Sequence, residues 1–278
     1  MVNWIWVPEG AGRSSRLGKL RLVSAERSFI GRSIARHGLR SWQAPTTAGL
    51  LAAWELCDVV RFMDVGASIG LYSWLCKRLY PDSEVIALEP TPEIVAIGEA
   101  TSAANGLEVV YEQAAASDSV GEATLYLSSS TDASNSLVEG FRTAADVLTV
   151  TCTTLDTLAK DRFSPTVLKL DVEGHEPAVL RGAEHILTHD RPIVVVELLA
   201  DTNTGHLRDS AADTRRILEA HGYDGRQLET PPGVLGREPP ERLHDWIFWP
   251  ERVPESFASS FVSWSEAVDL CGQPDIQP

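Results

Sequence analysis

Nowhere do about eighteen consecutive apolar residues occur, so the 278-residue chain has no candidate for a bilayer-spanning helix. The first residues, MVNWIWVPEG, lack the basic start and unbroken apolar stretch of a secretory leader, and a cytoplasmic location is expected. Cysteine is scarce and scattered. Cys57, Cys76, Cys152 and Cys271 form no C-x-x-C pair and have no local histidine at ligand spacing, which argues against a disulfide framework or a zinc site and for reduced thiols. Basic charge is short: 24 Lys and Arg face 39 Asp and Glu, the net charge is -15, and no basic run forms a stripe. Nucleic acid and anionic membranes are therefore not expected partners. Internal repeats and low-complexity tracts are absent as well.

What is present fits a globular domain with a sizeable core, since 44% of residues are hydrophobic and 23% charged. From about residue 60 to about residue 200, short β-branched runs alternate with helical patterns, the mark of a parallel sheet covered on both faces. The fold class is α/β, a doubly wound, mostly parallel, Rossmann-like sheet. The predicted strands are Arg61 to Val65, Glu84 to Leu88, Leu107 to Glu112, Thr166 to Asp171 and Pro192 to Leu198. Helices begin near Ile69, Pro92, His175 and Ser210. Between the third and fourth parallel strands, Glu122 to Leu127 and Val147 to Thr153 alternate like an inserted hairpin around SSSTDASNS. Residues 1–59 form an N-terminal cap with an apolar helix from Thr47 to Val59. The main domain spans 60–250 and ends in a Pro/Gly-rich loop, TPPGVLGREPP, and a strand, HDWIFWP, that closes the sheet with an antiparallel edge. Residues 251–278 are a tail expected to fray.

The most informative segment is RFMDVGASIGLYS, a buried strand ending at Asp64 that turns through Gly66 and Gly70 into a helix. Glycines without Cβ and free helix N–H groups let a small ligand approach the backbone. A pyrophosphate-binding turn would read G-x-G-x-x-G, but its middle glycine is Ser68 here, and Asp64 repels phosphate. A ligand carrying an ammonium and a sulfonium suits that charge. In EVIALEP, Glu89 lies about twenty residues beyond the turn, where a carboxylate can accept from both hydroxyls of a ribose. Gln113, Ala114 and Ala115 follow the third strand and could flank an adenine. In VLKLDVEGHE, Asp171, Glu173, Gly174, His175 and Glu176 end the fourth strand, and Glu197 ends the next. Ligands bind outside the carboxyl ends of such strands, so these groups should face one cleft.

With these motifs in order, the sequence resembles the FkbM-type methyltransferases, which act on hydroxyls of macrolides, sugars and lipids. The resemblance covers about residues 60 to 200 and rests on DVGASIGLYS, ALEPTPE, the polar NSL at Asn135 to Leu137, TLDTL, KLDVEGHEPAVLRGA and VVVEL. It implies the class I methyltransferase fold, S-adenosylmethionine as donor, and O-methylation of a sugar, glycolipid or polyketide-type natural product. The implied cofactor residues are Asp64, Gly66, Ala67, Ser68, Gly70, Glu89, Pro90, Gln113, Ala114 and Asp171. Ala67-Ser68 stands where many members have Ala-Asn.

His175 is the first candidate for the base that takes the acceptor's proton, because histidine titrates near neutrality and lies at the cleft. Asp171 and Glu173 are further catalytic candidates that could orient the acceptor, meet the methionine amino group, or hold a divalent ion with Glu197. No dense ligand cluster compels a metal, so none is assigned. Glu176 reads best as a charged first-turn residue facing the helix dipole. SSSTDASNS is either a lid or a plain connection, and Trp246 and Trp249 are either core or the wall of an acceptor pocket. The partner expected is a small-molecule acceptor, and a homodimer is compatible with the composition. N-methylation, NAD-dependent oxidoreduction and a non-catalytic donor-binding module stay open beside the leading reading.

Overall fold

The computed structural model describes residues 3–9, 16–58, 60–159, 164–198, 205–228, 235–236 and 244–271. The strands are β1 (Asn3–Glu9), β2 (Arg16–Leu22), β3 (Arg61–Val65), β4 (Glu84–Leu88), β5 (Val110–Glu112), β6 (Ala115–Ala116), β7 (Gly121–Ser128), β8 (Ala144–Thr153), β9 (Val167–Leu170), β10 (Ile193–Leu198), β11 (Asp224–Leu228), β12 (Leu235–Gly236) and β13 (His244–Trp249). The helices are α1 (Phe29–His37), α2 (Ala44–Glu55), α3 (Leu71–Leu79), α4 (Pro92–Ala104), α5 (Leu155–Ala159), α6 (Glu176–Arg181), α7 (Gly205–Ala220) and α8 (Glu255–Leu270).

The main sheet runs β5-β4-β3-β9-β10-β13-β11-β12. From β5 to β10 all pairings are parallel, and β13 enters antiparallel between β10 and β11. Each strand alternates its side chains between two apolar layers, as the two-residue period requires. Phe62, Val85, Val167, Val195 and Ile247 face the layer of α2, α3, α4 and α8. Met63, Val65, Leu168, Leu170, Val196 and Phe248 face α5, α6 and α7. The doubly wound α/β class is therefore present, with its antiparallel C-terminal edge. The inserted hairpin is β7 and β8, and with β6 it forms a separate three-stranded sheet.

Outside the parallel core, two expectations change and one open reading is decided. The apolar helix begins at Ala44, with Pro45 in its first turn where no N–H is missed. Every residue from Thr46 to Trp54 is buried, because α2 has the sheet on one side and α8 on the other. A helix apolar all round needs such a sandwich. The segment after Pro254 does not fray up to Cys271: α8 buries Phe257, Phe261, Trp264 and Val268, and Trp264 Nε1 donates to Glu55 Oε2 at 2.8 Å. A 16-residue amphipathic helix with an apolar partner has enough surface to bury to hold its order. Trp246 and Trp249 are core residues, 1% and 9% exposed, within the β10-β13-β11 pairing. The tail 272–278 and most of TPPGVLGREPP lie outside the described residues.

Phe261 of α8 is fully buried in the apolar layer that α8 shares with α2. Phe261→Ala should lower stability by about 3–5 kcal/mol in urea denaturation. A loss below about 1 kcal/mol would show that α8 contributes little to the fold.

Candidate active site

Strand register assembles the charged core of the site. Asp64 on β3 stands opposite Lys169 on β9, and Glu197 on β10 stands opposite Asp245 on β13. Alternation along each strand puts all four on the α2–α3 face of the sheet, and Asp171 follows β9 on the same side. Lys169 Nζ lies 3.1 Å from Asp171 Oδ2 and 3.9 Å from Asp64 Oδ1, and sits over the Tyr72 ring at 5.0 Å. Burial alone would strip the proton from this lysine, but Asp171 and Asp64 outweigh it and hold its pKa above the ordinary value.

The carboxylates respond unequally. Asp64 is fully buried and accepts from Ser73 Oγ at 2.8 Å; burial raises its pKa, and Lys169 and Ser73 oppose the rise. Asp171 is held below the usual range: burial pushes it up, but Lys169 and hydrogen bonds from Gln43 and Glu197 overcome that. Glu197 is pushed well above the carboxylate range, first by burial and then by Asp171 and Asp245. Glu173 rises to about 9, by burial and by Asp171 and Glu176. Asp245 rises to about 6 through burial, against hydrogen bonding from Thr46. Asp171 is thus the acid held ionised, while burial raises the pKa of each of its acidic neighbours.

The glycine turn is shaped by that strand end. Gly66 has φ +72°, and a Cβ there would lie 1.8 Å from the Asp171 carbonyl oxygen, so no larger residue fits. Its N–H and that of Ala67 donate to Leu88 O at 3.0 and 2.9 Å. Ser68 donates its N–H to Glu89 Oε2 at 3.1 Å, and Thr91 donates to Oε1 at 2.9 Å. Glu89 therefore braces the turn and keeps lone pairs for a ligand.

These groups surround a cavity of about 410 Å³. Gly66, Ala67, Ser68, Glu89, Pro90 and Ala114 line one part, and Asp171, Glu173, His175 and Glu197 another. Asp64, Gly70 and Gln113 are not among the lining residues. Asp64 lies beneath the cavity against Lys169; Gly70 is pressed against the Tyr111 hydroxyl, and Gln113 is exposed. Residues 131–137 of the inserted segment line the cavity too, Asp132 Oδ1 accepting from the Phe29 N–H at 2.8 Å and Ser136 Oγ donating to Glu173 O at 2.7 Å.

His175 Nε2 is 3.0 Å from Ser117 Oγ, and burial lowers its pKa from the ordinary 6.5. Glu176 stands in the first turn of α6 as expected, and it is buried there. It is 2% exposed, and its Oε1 accepts from the Val172 and Gly174 N–H groups at 3.1 and 3.2 Å, holding the 172–174 loop. Asp171, Glu173 and Glu197 each offer an oxygen within 4.8 Å of the others, the one such acidic group among the described residues. The Lys169 ammonium already supplies the countercharge beside Asp171.

Lys169, Gln43, Tyr72, Trp42 and Phe29 also line the cavity or its approach and were not singled out from sequence. Lys169 had a signal, a lysine inside the apolar run VLKL. Gln43 had none. Gln43 Nε2 donates to Asp171 Oδ2 at 3.1 Å, and Gln43 Oε1 accepts from Tyr72 OH at 2.8 Å.

The methyltransferase FkbM domain model matches residues 64–224, more than half of the chain. The chain belongs to the FkbM methyltransferase family. Solved structures of similar fold include the methyltransferase FkbM from Methylobacillus flagellatus KT, at 16% identity and TM-score 0.45 over 69% of this chain. The FkbM-family chain spans 44% of the length of that protein. A precorrin-6y C5,15-methyltransferase from Geobacter metallireducens GS-15 aligns at 14% identity and TM-score 0.44, covering 73% of this chain and 86% of its own. Among curated proteins, none matches the sequence. No helix among the described residues is long and apolar enough to cross a membrane.

The buried Glu176 carboxyl has its pKa raised from 4.5 to about 7, by burial against the hydrogen bonds it accepts. A carboxyl raised on folding favours the folded state while protonated and weakens it as pH climbs from 4.5 through about 7. Glu176→Gln should therefore gain up to about 3 kcal/mol over the wild type at pH 8 and lose that advantage toward pH 4. Paired denaturation curves at the two pH values check it, and a gain independent of pH would sink the assignment.

Proposed function

We propose that this FkbM-family protein is an S-adenosylmethionine-dependent O-methyltransferase acting on a hydroxyl of a sugar, glycolipid or polyketide-type natural product. The observation that carries the reading is the convergence of the Gly66 turn, Glu89 and the ionised Asp171 on one cavity. The donor fits what is there. The volume of about 410 Å³ is in the range of small-molecule sites. Ser68 Oγ is buried beside it without a partner, a polar group that a ligand can satisfy.

The donor, when bound, supplies an electrophilic methyl group carried on a sulfonium. Glu89 would accept from the ribose hydroxyls, Pro90 and Ala114 would border the base, and Asp171 would pair with the α-ammonium. The ionised Asp171 favours a cationic donor, and the carboxylate-braced Gly66 turn disfavours pyrophosphate ligands such as NAD. Asp64, placed beneath the cavity, supports Lys169 rather than meeting the ligand. Holding acceptor and donor in line can supply roughly 7–11 kcal/mol of the barrier.

His175 is the proposed base. Burial keeps its ring neutral at pH 7, and in the tautomer whose Nε2–H donates to Ser117, Nδ1 is the nitrogen that takes the hydroxyl proton. A neutral alcohol needs such a base as the C–O bond forms, whereas an amine arriving unprotonated does not, and this favours O- over N-methylation. Glu173, protonated at neutral pH, would orient the acceptor as a hydrogen-bond donor. The acidic lining argues against a nucleic-acid acceptor. No step requires a divalent ion.

Isothermal titration should show binding of S-adenosylmethionine and S-adenosylhomocysteine and none of NADH; tight NADH binding would overturn the proposal. His175→Ala should keep donor affinity and lose roughly 10²–10⁴-fold in turnover. Because the folded pKa is lowered, wild-type turnover should hold down to a pH below 6.5, the acid limb appearing only as His175 becomes protonated. EDTA should leave the rate unchanged, and loss of activity restored by magnesium would point instead to the acidic trio.

A further inference from the structure

We propose that Gln43, which lies outside the family-matched residues 64–224, is a positioning residue that orients the Asp171 carboxylate toward the amino-acid end of the methyl donor. The inference rests on the donor reading above. Two donors converge on Asp171 Oδ2, Gln43 Nε2 at 3.1 Å and Lys169 Nζ at 3.1 Å. Lys169 alone is a point charge that leaves the carboxylate free to turn, and the second donor from another direction removes that freedom. The carboxylate is held beside the Gly66 turn, whose missing Cβ leaves room only for the Asp171 carbonyl.

Gln43 is itself held from both sides. Its Oε1 accepts from Tyr72 OH at 2.8 Å, and the reverse amide orientation would aim the carbonyl at an anion. Its backbone sits in the left-handed region at φ 37°, ψ 54°, which residues with a Cβ enter rarely and which persists where the surroundings over-determine it. The next residues begin α2, buried from Thr46 to Trp54, so the side chain is mounted on a rigid element. Around Asp171 the titratable neighbours are Lys169 and Asp64 of the central strands, Glu197 and Asp245 of β10 and β13, Glu173 and Glu176 of the following loop and helix, and Tyr72 of α3. Gln43 is a donor that carries no titratable group, able to direct Asp171 at any pH without adding to the charge, beside the hydrogen bond from Glu197.

The test compares S-adenosylhomocysteine with 5′-methylthioadenosine, the same nucleoside thioether without the amino-acid portion, by titration calorimetry. Gln43→Leu should weaken S-adenosylhomocysteine roughly tenfold, the size of one hydrogen bond to a charged group, and leave methylthioadenosine unchanged. Tyr72→Phe, which removes only the hydroxyl that fixes the amide, should shift the same ratio in the same direction by less, and it decides the matter if the leucine variant does not fold. Equal weakening of both ligands, or of neither, overturns the inference, as does a wild type that binds the two equally well. A wild type that binds neither S-adenosylmethionine nor S-adenosylhomocysteine would instead overturn the donor reading itself.

Discussion

A buried ammonium between a buried and a half-buried carboxylate is the constraint on which the site depends. Lys169 is 4% exposed, and it stands on β9, with a parallel strand on either side. A charge so placed is costly unless it is paired, and breaking such a pair leaves an uncompensated ion in the core. Asp64 and Asp171 compensate it from the neighbouring strand and from the end of its own strand. The arrangement requires β3 and β9 to keep one register, since a slip of one residue would turn Asp64 into the opposite apolar layer. The same register carries Glu197 and Asp245 to the acidic row, where burial first and then the charge of Asp171 raise both pKa values.

The glycine turn follows from this arrangement. Asp171 enters the sheet by donating its N–H to Val65 O at 3.1 Å, and its carbonyl then fills the space where a Cβ of residue 66 would stand. The turn is thereby pinned between the end of β9 and Glu89 at the end of β4. Behind it, Glu176 braces the loop that carries Glu173 and presents His175. Carboxylates thus serve three physical roles within one small volume: countercharge at Asp64, ionised group on the cavity wall at Asp171, and structural acceptor at Glu176.

The covering of the cavity comes from elsewhere in the chain. Residues 29–43 and the inserted segment at 131–137 meet over it, joined by the Phe29 N–H to Asp132 hydrogen bond, and Phe29 and Trp42 stack edge-on at 5.9 Å. The N-terminal part lies outside the family-matched residues, so the matched domain supplies the acid-lined floor and this chain's own flanking segment supplies much of the wall.

The central parallel strands, the glycine turn, and the acids at the strand ends were legible in the sequence alone, because each is a local pattern: apolar β-branched runs, a strand-turn-helix spacing, and carboxylates that follow buried residues. The tertiary structure alone decided which acid is ionised and which residue lines the cavity. Asp64 precedes the turn in sequence but is turned beneath it by strand alternation, and Asp171 takes the exposed place because Lys169 and Gln43 reach it from two directions. Gln43 stands 128 residues away from Asp171, and no local pattern marks a contact at that separation. The order of α8 had the same origin: its segment reads as a fraying tail until α2 is seen to need a cover. Local spacing determines backbone shape, while burial and protonation depend on neighbours that only the folded chain brings together.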